Sequence, residues 1–143
     1  MNELEELRKR IEEQDYVAAL QIVDELDEMS KEDKLNKIYS YMVILLIHLI
    51  KQEAEARTTS SWDRSIYNSI DNINRTNKRR KSGGYYANSE ALTEIIEEAY
   101  PRAMREASFE AFEGKLSWVE LEKKVDPNLI KMKAIALLES DLK

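Results

Sequence analysis

The residue best suited to acid–base chemistry near neutral pH is His48, the single histidine of the chain. Lys51 follows three positions later, on the same face of a helix, and could hold an anionic group. Glu25 is a third catalytic candidate, as an acid that would orient the imidazole. Catalysis would also need a nucleophile or a metal, and the sequence has no Glu-x-x-His or His-x-x-x-His pair. The missing metal-ligand spacing argues against catalysis, but the sequence alone does not decide whether the protein is an enzyme.

The alternative for His48 is a structural role where a long buried helix emerges into water. A partly buried imidazole is usually hydrogen-bonded, and Asp24 or Glu25 on another helix is the predicted partner. If Glu25 also faces Arg57, a polar cluster of Glu25, His48, Arg57 and Trp62 is expected within the helical domain. Such a cluster can be a structural lock as easily as a functional site.

A group of four acids offers a second candidate chemistry. Mg²⁺ binds one or two carboxylates together with water and substrate phosphate, and Asp24 and Glu28 share a helix face at a spacing of four. A solvated acidic face explains the group equally well and is commoner. We therefore predict no metal site and no cofactor. The four acids are Asp24, Glu25, Asp27 and Glu28.

Cations and tyrosines are concentrated in the stretch RTNKRRKSGGYY. Cations neutralise phosphates and tyrosine rings stack on bases, so this stretch fits nucleic acid. The alternative is a loop that docks against the acidic N-terminal segment of the same or a neighbouring subunit. If nucleic acid binds, Glu25, Glu28 and His48 could make the protein a metal-dependent nuclease. The residues predicted to bind phosphate or a partner are Arg75, Lys78, Arg79, Arg80, Lys81, Tyr85 and Tyr86.

Composition places these residues in a soluble helical protein. The chain has 143 residues, of which 43% are hydrophobic and 35% charged. Three glycines and two prolines are too few for a many-stranded β fold, so we predict an all-α fold. The absence of cysteine excludes disulfides and thiolate metal sites, and it suits a cytoplasmic location. The prediction is one helical domain over residues 1–143, with a flexible basic loop at 75–88.

The net charge of -6 is unevenly distributed along the chain. Residues 1–33 carry twelve acids and four bases, a net of -8, whereas residues 71–87 carry five bases and one acid, a net of +4. An acidic protein repels phosphate as a whole, although a local basic patch can still bind it. Segments of opposite charge also favour association between copies of the chain.

Apolar spacing predicts six or seven helices. The longest is expected over residues 31–57, where Ser30 together with Asp33 forms a cap signature at its start. It is apolar nearly all round from Tyr41 to Ile50, which places it at the centre of a bundle. That apolar run is about half of the roughly 20 residues that span a bilayer. The N-terminus also lacks a secretory signal pattern, so we expect no membrane anchor.

Cap residues predict where the other helices begin. The helix that follows Asp15 is expected to turn Leu20, Val23 and Leu26 inward. Pro101 falls inside a helix and predicts a kink just before it, and Gly114 is a predicted C-cap. The predicted N-caps are Asn2, Asp15, Ser60 or Ser61, Asn88 or Ser89, Ser117 and Asp126.

Three blocks of the chain together form a recognisable pattern. They are Asp24, Glu25 and Glu28; His48, Leu49, Ile50 and Lys51; and Arg57, Ser60, Ser61 and Trp62. With a later segment at Tyr100, Ala103 and Arg105, this pattern resembles the bacterial domain-of-unknown-function family twenty-nine, which is abundant in cyanobacteria. The resemblance covers about residues 20–110, although Gln52 replaces the family's aromatic residue and the tail after Gly114 matches loosely. It implies an all-helical fold and no established activity.

The sequence therefore predicts a non-enzymatic interaction or self-associating module, which acts as a homo-oligomer or with a protein partner. The alternative is a nucleic-acid-associated protein that uses the basic segment at 75–81.

Overall fold

The computed structural model describes residues 2–79 and 83–141 and confirms an all-α fold. Within those ranges there are six α-helices, one short 3₁₀-helix and no β-strand. The helices are α1 (Glu3–Glu12), α2 (Tyr16–Glu55), α3 (Ser60–Asn77), α4 (Ser89–Ser108), the 3₁₀-helix (Ala111–Gly114), α5 (Trp118–Glu122) and α6 (Pro127–Asp141).

Contacts divide the chain into two compact units, Met1–Lys34 and Leu35–Lys143, which we call the N-terminal and C-terminal units. The prediction of a single domain over residues 1–143 is not decided by this division and stays a prediction. Within the part of the chain that is described, no helix is both long and apolar enough to cross a membrane.

The C-terminal unit has a continuous hydrophobic core built around its part of α2. Helix α3 packs against α6, and α4 packs against α5, α6 and the 3₁₀-helix. From Met42 to Lys51 every residue of α2 except Ile44 and His48 is buried, as expected of a helix enclosed by others. The fully buried side chains of this core are Ile38, Met42, Leu45, Leu46, Ile50, Ile73, Ile96, Met104, Leu121 and Leu138. The prediction of a long central helix is confirmed for this unit.

Helix α2 is longer than predicted, because it begins at Tyr16 and not near residue 31. The expected break at Ser30 and Asp33 does not occur. No glycine or proline lies between Tyr16 and Glu55, and a serine alone does not stop a helix once the flanking residues favour it. The cap signature at Ser30 and Asp33 therefore predicted a helix start that the structure does not have.

Most predicted N-caps are confirmed by side-chain hydrogen bonds. At the start of α3, however, the cap is Thr59, whose Oγ1 accepts from the Trp62 N–H at 3.1 Å, and Ser60 and Ser61 are already helical. Helix α4 continues through Pro101 to Ser108, and the predicted kink stays a prediction. The confirmed N-caps are Asn2, Asp15, Asn88, Ser117 and Asp126.

The connection between α3 and α4 is shorter than the predicted 75–88, because α3 extends to Asn77. The buried Asn77 side chain donates from Nδ2 to the Ala87 carbonyl at 2.9 Å and accepts from the Ala87 N–H at 2.7 Å. Lys78 and Tyr85 form an isolated antiparallel bridge. These bonds hold the two ends of the connection together and place the exposed Tyr85 beside Lys78.

Candidate functional site

Two cations and one indole meet where α2 turns into α3. The Lys51 ammonium lies 4.6 Å from the centroid of the Trp62 ring, and the Arg57 guanidinium lies 4.7 Å from it. Trp62 is buried, and Lys51 is only 5% exposed, which is rare for a lysine. Cation–π attraction is strongest on an indole and grows when the cation loses water. We call Lys51, Arg57 and Trp62 the cation–indole cluster.

Two carboxylates balance these cations. Glu110 Oε1 accepts from Lys51 Nζ at 3.2 Å, and Glu55 Oε1 accepts from Arg57 Nε at 3.1 Å. The second oxygen of Glu55 accepts from the backbone N–H of Phe112 at 3.3 Å. The cluster therefore ties the end of α2 both to the next helix and to the 3₁₀-helix after α4.

The 3₁₀-helix contains a run of left-handed backbone. Phe112, Glu113 and Gly114 have φ of 52°, 59° and 75°. A left-handed conformation costs about 1–2 kcal/mol for each residue that has a Cβ, so the neighbours must hold this turn in place. A Cβ at Gly114 would stand 2.9 Å from the Phe109 carbonyl oxygen, so this position needs glycine for space as well as for φ. The predicted C-cap role of Gly114 is thus replaced by a role in this turn, and α4 ends at Ser108 with Phe109 as its C-cap.

Short polar side chains fix the corner between α2 and α3. Thr58 Oγ1 donates to Asp63 Oδ1 at 2.7 Å, and Gln52 Nε2 donates to both Thr58 Oγ1 and Asp63 Oδ1. Ala56 has a positive φ of 52°, which reverses the chain at the end of α2. Gln52, which replaces an aromatic residue of the family pattern, is therefore part of the hydrogen-bond network at this corner.

His48 does not join the cluster through any hydrogen bond in the structure. Its Nδ1 donates to the carbonyl oxygen of Ile44 at 2.9 Å, one turn earlier in the same helix. The expected hydrogen bond to an acid on another helix is therefore not the one that the structure shows. Glu25, the remaining member of the predicted polar cluster, is exposed and lies in the N-terminal unit.

The described residues give no support for a metal site. They contain no group of three or more histidines, aspartates or glutamates that could hold an ion. Asp24, Glu25, Asp27 and Glu28 are all exposed on α2, as expected for a solvated acidic face. The cation–indole cluster likewise places Lys51 against a carboxylate and a ring, which suits a structural clamp better than proton transfer.

The basic stretch is described only at its two ends. Arg75 lies in the last turn of α3 and pairs with Asp71 at 3.7 Å, and Arg79 lies 5.1 Å from the Tyr86 ring centroid. Tyr85 is exposed. Arg80 and Lys81, both predicted to bind phosphate or a partner, lie outside the described residues.

A different kind of feature, which the sequence did not predict, appears in the N-terminal unit. Tyr16, Val17, Leu20 and Val23 are exposed although they recur at helical spacing on one side of α2. The prediction that Leu20 and Val23 face inward is wrong, while Leu26 is half-buried. We call these four exposed residues the N-terminal apolar face. The periodicity identified an apolar face correctly, but it could not show that nothing within the unit covers it.

The same unit is held together largely by charges. Arg10 pairs with Glu6 at 2.9 Å and lies within 4 Å of Glu13 and Asp15 across the turn between α1 and α2. Among its described residues, the only buried hydrophobic side chain is that of Ala19. The unit therefore exposes apolar residues that a packed domain would bury.

A buried tyrosine completes the polar features of the C-terminal unit. No described residue forms a hydrogen bond with the Tyr100 hydroxyl, nor with Glu53 Oε2, and both atoms are buried. Burial raises the pKa of the Tyr100 phenol well above its ordinary value, and the charges of Glu122, Glu53 and Asp126 raise it further. The phenol is therefore neutral over the whole physiological range and supplies no base.

Comparison with known proteins agrees with the resemblance that the sequence suggested. The family model described as "Domain of unknown function DUF29" matches residues 2–128. No curated protein and no solved structure matches the chain. Since the match includes α1 to α5 and the cation–indole cluster, the chain belongs to the DUF29 family.

Proposed function

We propose that this chain is a non-catalytic helical interaction module that self-associates, and that a second copy covers its N-terminal apolar face. The exposure of Tyr16, Val17, Leu20 and Val23 on one side of α2 carries the proposal. Contiguous apolar patches of this kind on soluble proteins mark interaction surfaces. The described residues also contain no group of three or more side chains that could hold a metal ion for the alternative of a metal-dependent nuclease.

A second copy is the occupant that the charges favour. The N-terminal segment has a net charge of -8 over residues 1–33, and residues 71–87 of the same chain have a net charge of +4. Copies of this chain therefore bring both an apolar face and a basic segment to the acidic unit. Burying four half-exposed side chains on each of two copies contributes on the order of 10 kcal/mol. Association opposes this with about 4–15 kcal/mol, so we expect a reversible assembly.

Sedimentation equilibrium over a wide range of protein concentration tests the proposal. Wild type is expected to have a mass above that of the monomer, and Leu20→Glu is expected to associate much more weakly, because it places a charge at the centre of the face. Met132→Glu is the matched control, since Met132 is 70% exposed in the C-terminal unit and Leu20 is 63% exposed. A monomeric wild type, or equal loss of association in both variants, would contradict the proposal.

Single-stranded nucleic acid is the second candidate, and one observation favours it. Tyr85 is exposed at the bridge with Lys78, so a ring that can stack on a base stands next to a cation. Fluorescence anisotropy with labelled single-stranded RNA, at low and near-physiological salt, tests this candidate. Binding is expected to weaken with salt and to vanish when Lys78, Arg79, Arg80 and Lys81 are all replaced by Glu. The absence of binding at low salt would exclude this function.

A further inference from the structure

A groove between α2 and α4 lies within the C-terminal unit. It encloses about 320 Å³, which is at the lower end of the range for binding clefts. Its floor is apolar and contains Ile44, which is 40% exposed although Val43 and Ile47 beside it are buried. The groove is lined by Ser40, Val43, Ile44 and Ile47 of α2 and by Arg102 and Glu106 of α4.

Arg102 and Glu106 form the charged rim of this groove. They are four positions apart, so their side chains share one face of α4. Both are exposed, and neither makes an ion pair or a side-chain hydrogen bond with any residue that the structure describes. The exposed Phe109 lies three residues after Glu106 and adds apolar surface to the same side. An apolar floor flanked by one unpaired cation and one unpaired anion is thus presented to solvent.

We propose that this groove is a second contact between copies of the chain, formed across a two-fold axis. In such a contact the same surface is used twice, so that Arg102 of each copy pairs with Glu106 of the other. The exposed part of Ile44 in each copy is then covered by the other copy. The inference rests on the proposed function in requiring that copies associate, and it adds a surface separate from the N-terminal apolar face.

Charge complementarity favours a second copy over a strongly charged occupant. A strongly basic partner would leave Arg102 opposed by like charge, and a strongly acidic partner would do the same to Glu106. A copy rotated by a two-fold axis presents the two charges in reverse order, which pairs both of them at once. The neutral, self-complementary rim therefore fits this chain better than it fits RNA or a highly charged peptide.

Charge reversal on the full-length chain tests the inference. Arg102→Glu places two acids opposite two acids across the axis, and Glu106→Arg does the same with bases. We expect each variant alone to weaken the association measured by sedimentation at least about tenfold, since like charges placed in direct contact are strongly unfavourable. An equimolar mixture of the two variants is expected to associate as well as wild type, because one copy then presents only acids and the other only bases. Arg64→Glu, an exposed charge reversal on α3, is the matched control.

The possible outcomes separate this inference from the proposed function. If Leu20→Glu strongly weakens association while Arg102→Glu and Glu106→Arg leave it unchanged, the self-associating module stands and the groove contact is wrong. If both reversals weaken association but their mixture does not restore it, the two-fold pairing is wrong. If wild type is monomeric throughout, the proposed function and this inference fail together. Circular dichroism of each variant confirms that the helices are intact.

Discussion

Helix α2 belongs to both units, but its apolar side chains are mostly buried in the C-terminal unit and mostly exposed in the N-terminal unit. From Ile38 to Ile50 it buries most of its apolar side chains in the core of the C-terminal unit. From Tyr16 to Met29 it buries only Ala19 and leaves its large apolar side chains exposed or half-buried. Both stretches are helical, so helix formation here does not depend on local burial. The difference indicates that the C-terminal unit is stabilised by packing, whereas the described residues of the N-terminal unit are held mainly by caps and ion pairs.

The largest expected effect comes from removing equivalent leucines from the two stretches of α2. Leu46 is fully buried, so Leu46→Ala is expected to lower the free energy of unfolding by about 2–5 kcal/mol. Leu20→Ala, measured where the protein is monomeric, should change it by no more than about 0.5 kcal/mol. Urea denaturation followed by circular dichroism measures both values. Similar losses in the two variants would show that the N-terminal unit has a core of its own.

A pH titration sharpens the comparison at a buried tyrosine of the C-terminal unit. The pKa of Tyr100 is raised mainly by burial, so the unfolded chain releases the phenolic proton first as the pH rises. The free energy of unfolding should therefore fall as the pH rises above the ordinary tyrosine pKa of about 10, by at most about 1.4 kcal/mol per pH unit. This loss begins at the unfolded value and continues until the folded pKa is reached. Below pH 10 the phenol is protonated in both the folded and the unfolded chain, so none of this stability is lost.

Tyr100→Phe is expected to remove this part of the pH dependence, because the variant has no proton to release at that position. At neutral pH it should change stability by less than about 1 kcal/mol, since no described residue bonds to the hydroxyl. Denaturation at several alkaline pH values measures the difference between wild type and variant. Tyr16→Phe is the matched control, because it removes an exposed phenol from the N-terminal unit. Parallel pH profiles for wild type and Tyr100→Phe would refute the burial argument.

The comparison also explains which features the sequence could predict. Apolar spacing and cap residues act locally, so they identified the helices of both units and the inward face of α3 from Trp62 to Ile73. Local rules could not show that Ser30 lies inside a helix, because its environment depends on how far α2 extends. They also could not show that Leu20 and Val23 stay exposed, since burial depends on what else the chain brings to that face.

Part of the candidate site could be predicted because its residues lie close together in the sequence. Lys51, Arg57 and Trp62 lie within twelve positions of one another, and the helix-turn-helix connection brings them together. Glu110 is 59 positions from Lys51, and no spacing rule links the two. The left-handed turn at Phe112 and Glu113 could not be predicted from the sequence either, because neither residue favours a left-handed backbone conformation. Long-range packing determines these contacts, so they required the structure.

The smallest expected effect comes from N-cap substitutions, one in each unit. Asn2 Oδ1 accepts from the Glu5 N–H at 2.8 Å, and Thr59 Oγ1 accepts from the Trp62 N–H at 3.1 Å. Thr59→Ala should lower the global free energy of unfolding by about 1 kcal/mol, because α3 is part of the packed core. Asn2→Ala should leave that quantity within about 0.5 kcal/mol of wild type, because α1 buries no side chain.

The consequence of Asn2→Ala should instead be local. Loss of the cap frees the Glu5 N–H, so amide hydrogen exchange at Glu5 should accelerate while exchange in the C-terminal core stays unchanged. Exchange measured at low and at high protein concentration adds a further distinction. If a second copy covers the N-terminal unit, high concentration should restore protection to α1 in the variant. Protection that does not depend on concentration would mean that the N-terminal unit folds without a partner, and its exposed apolar face would then need another explanation.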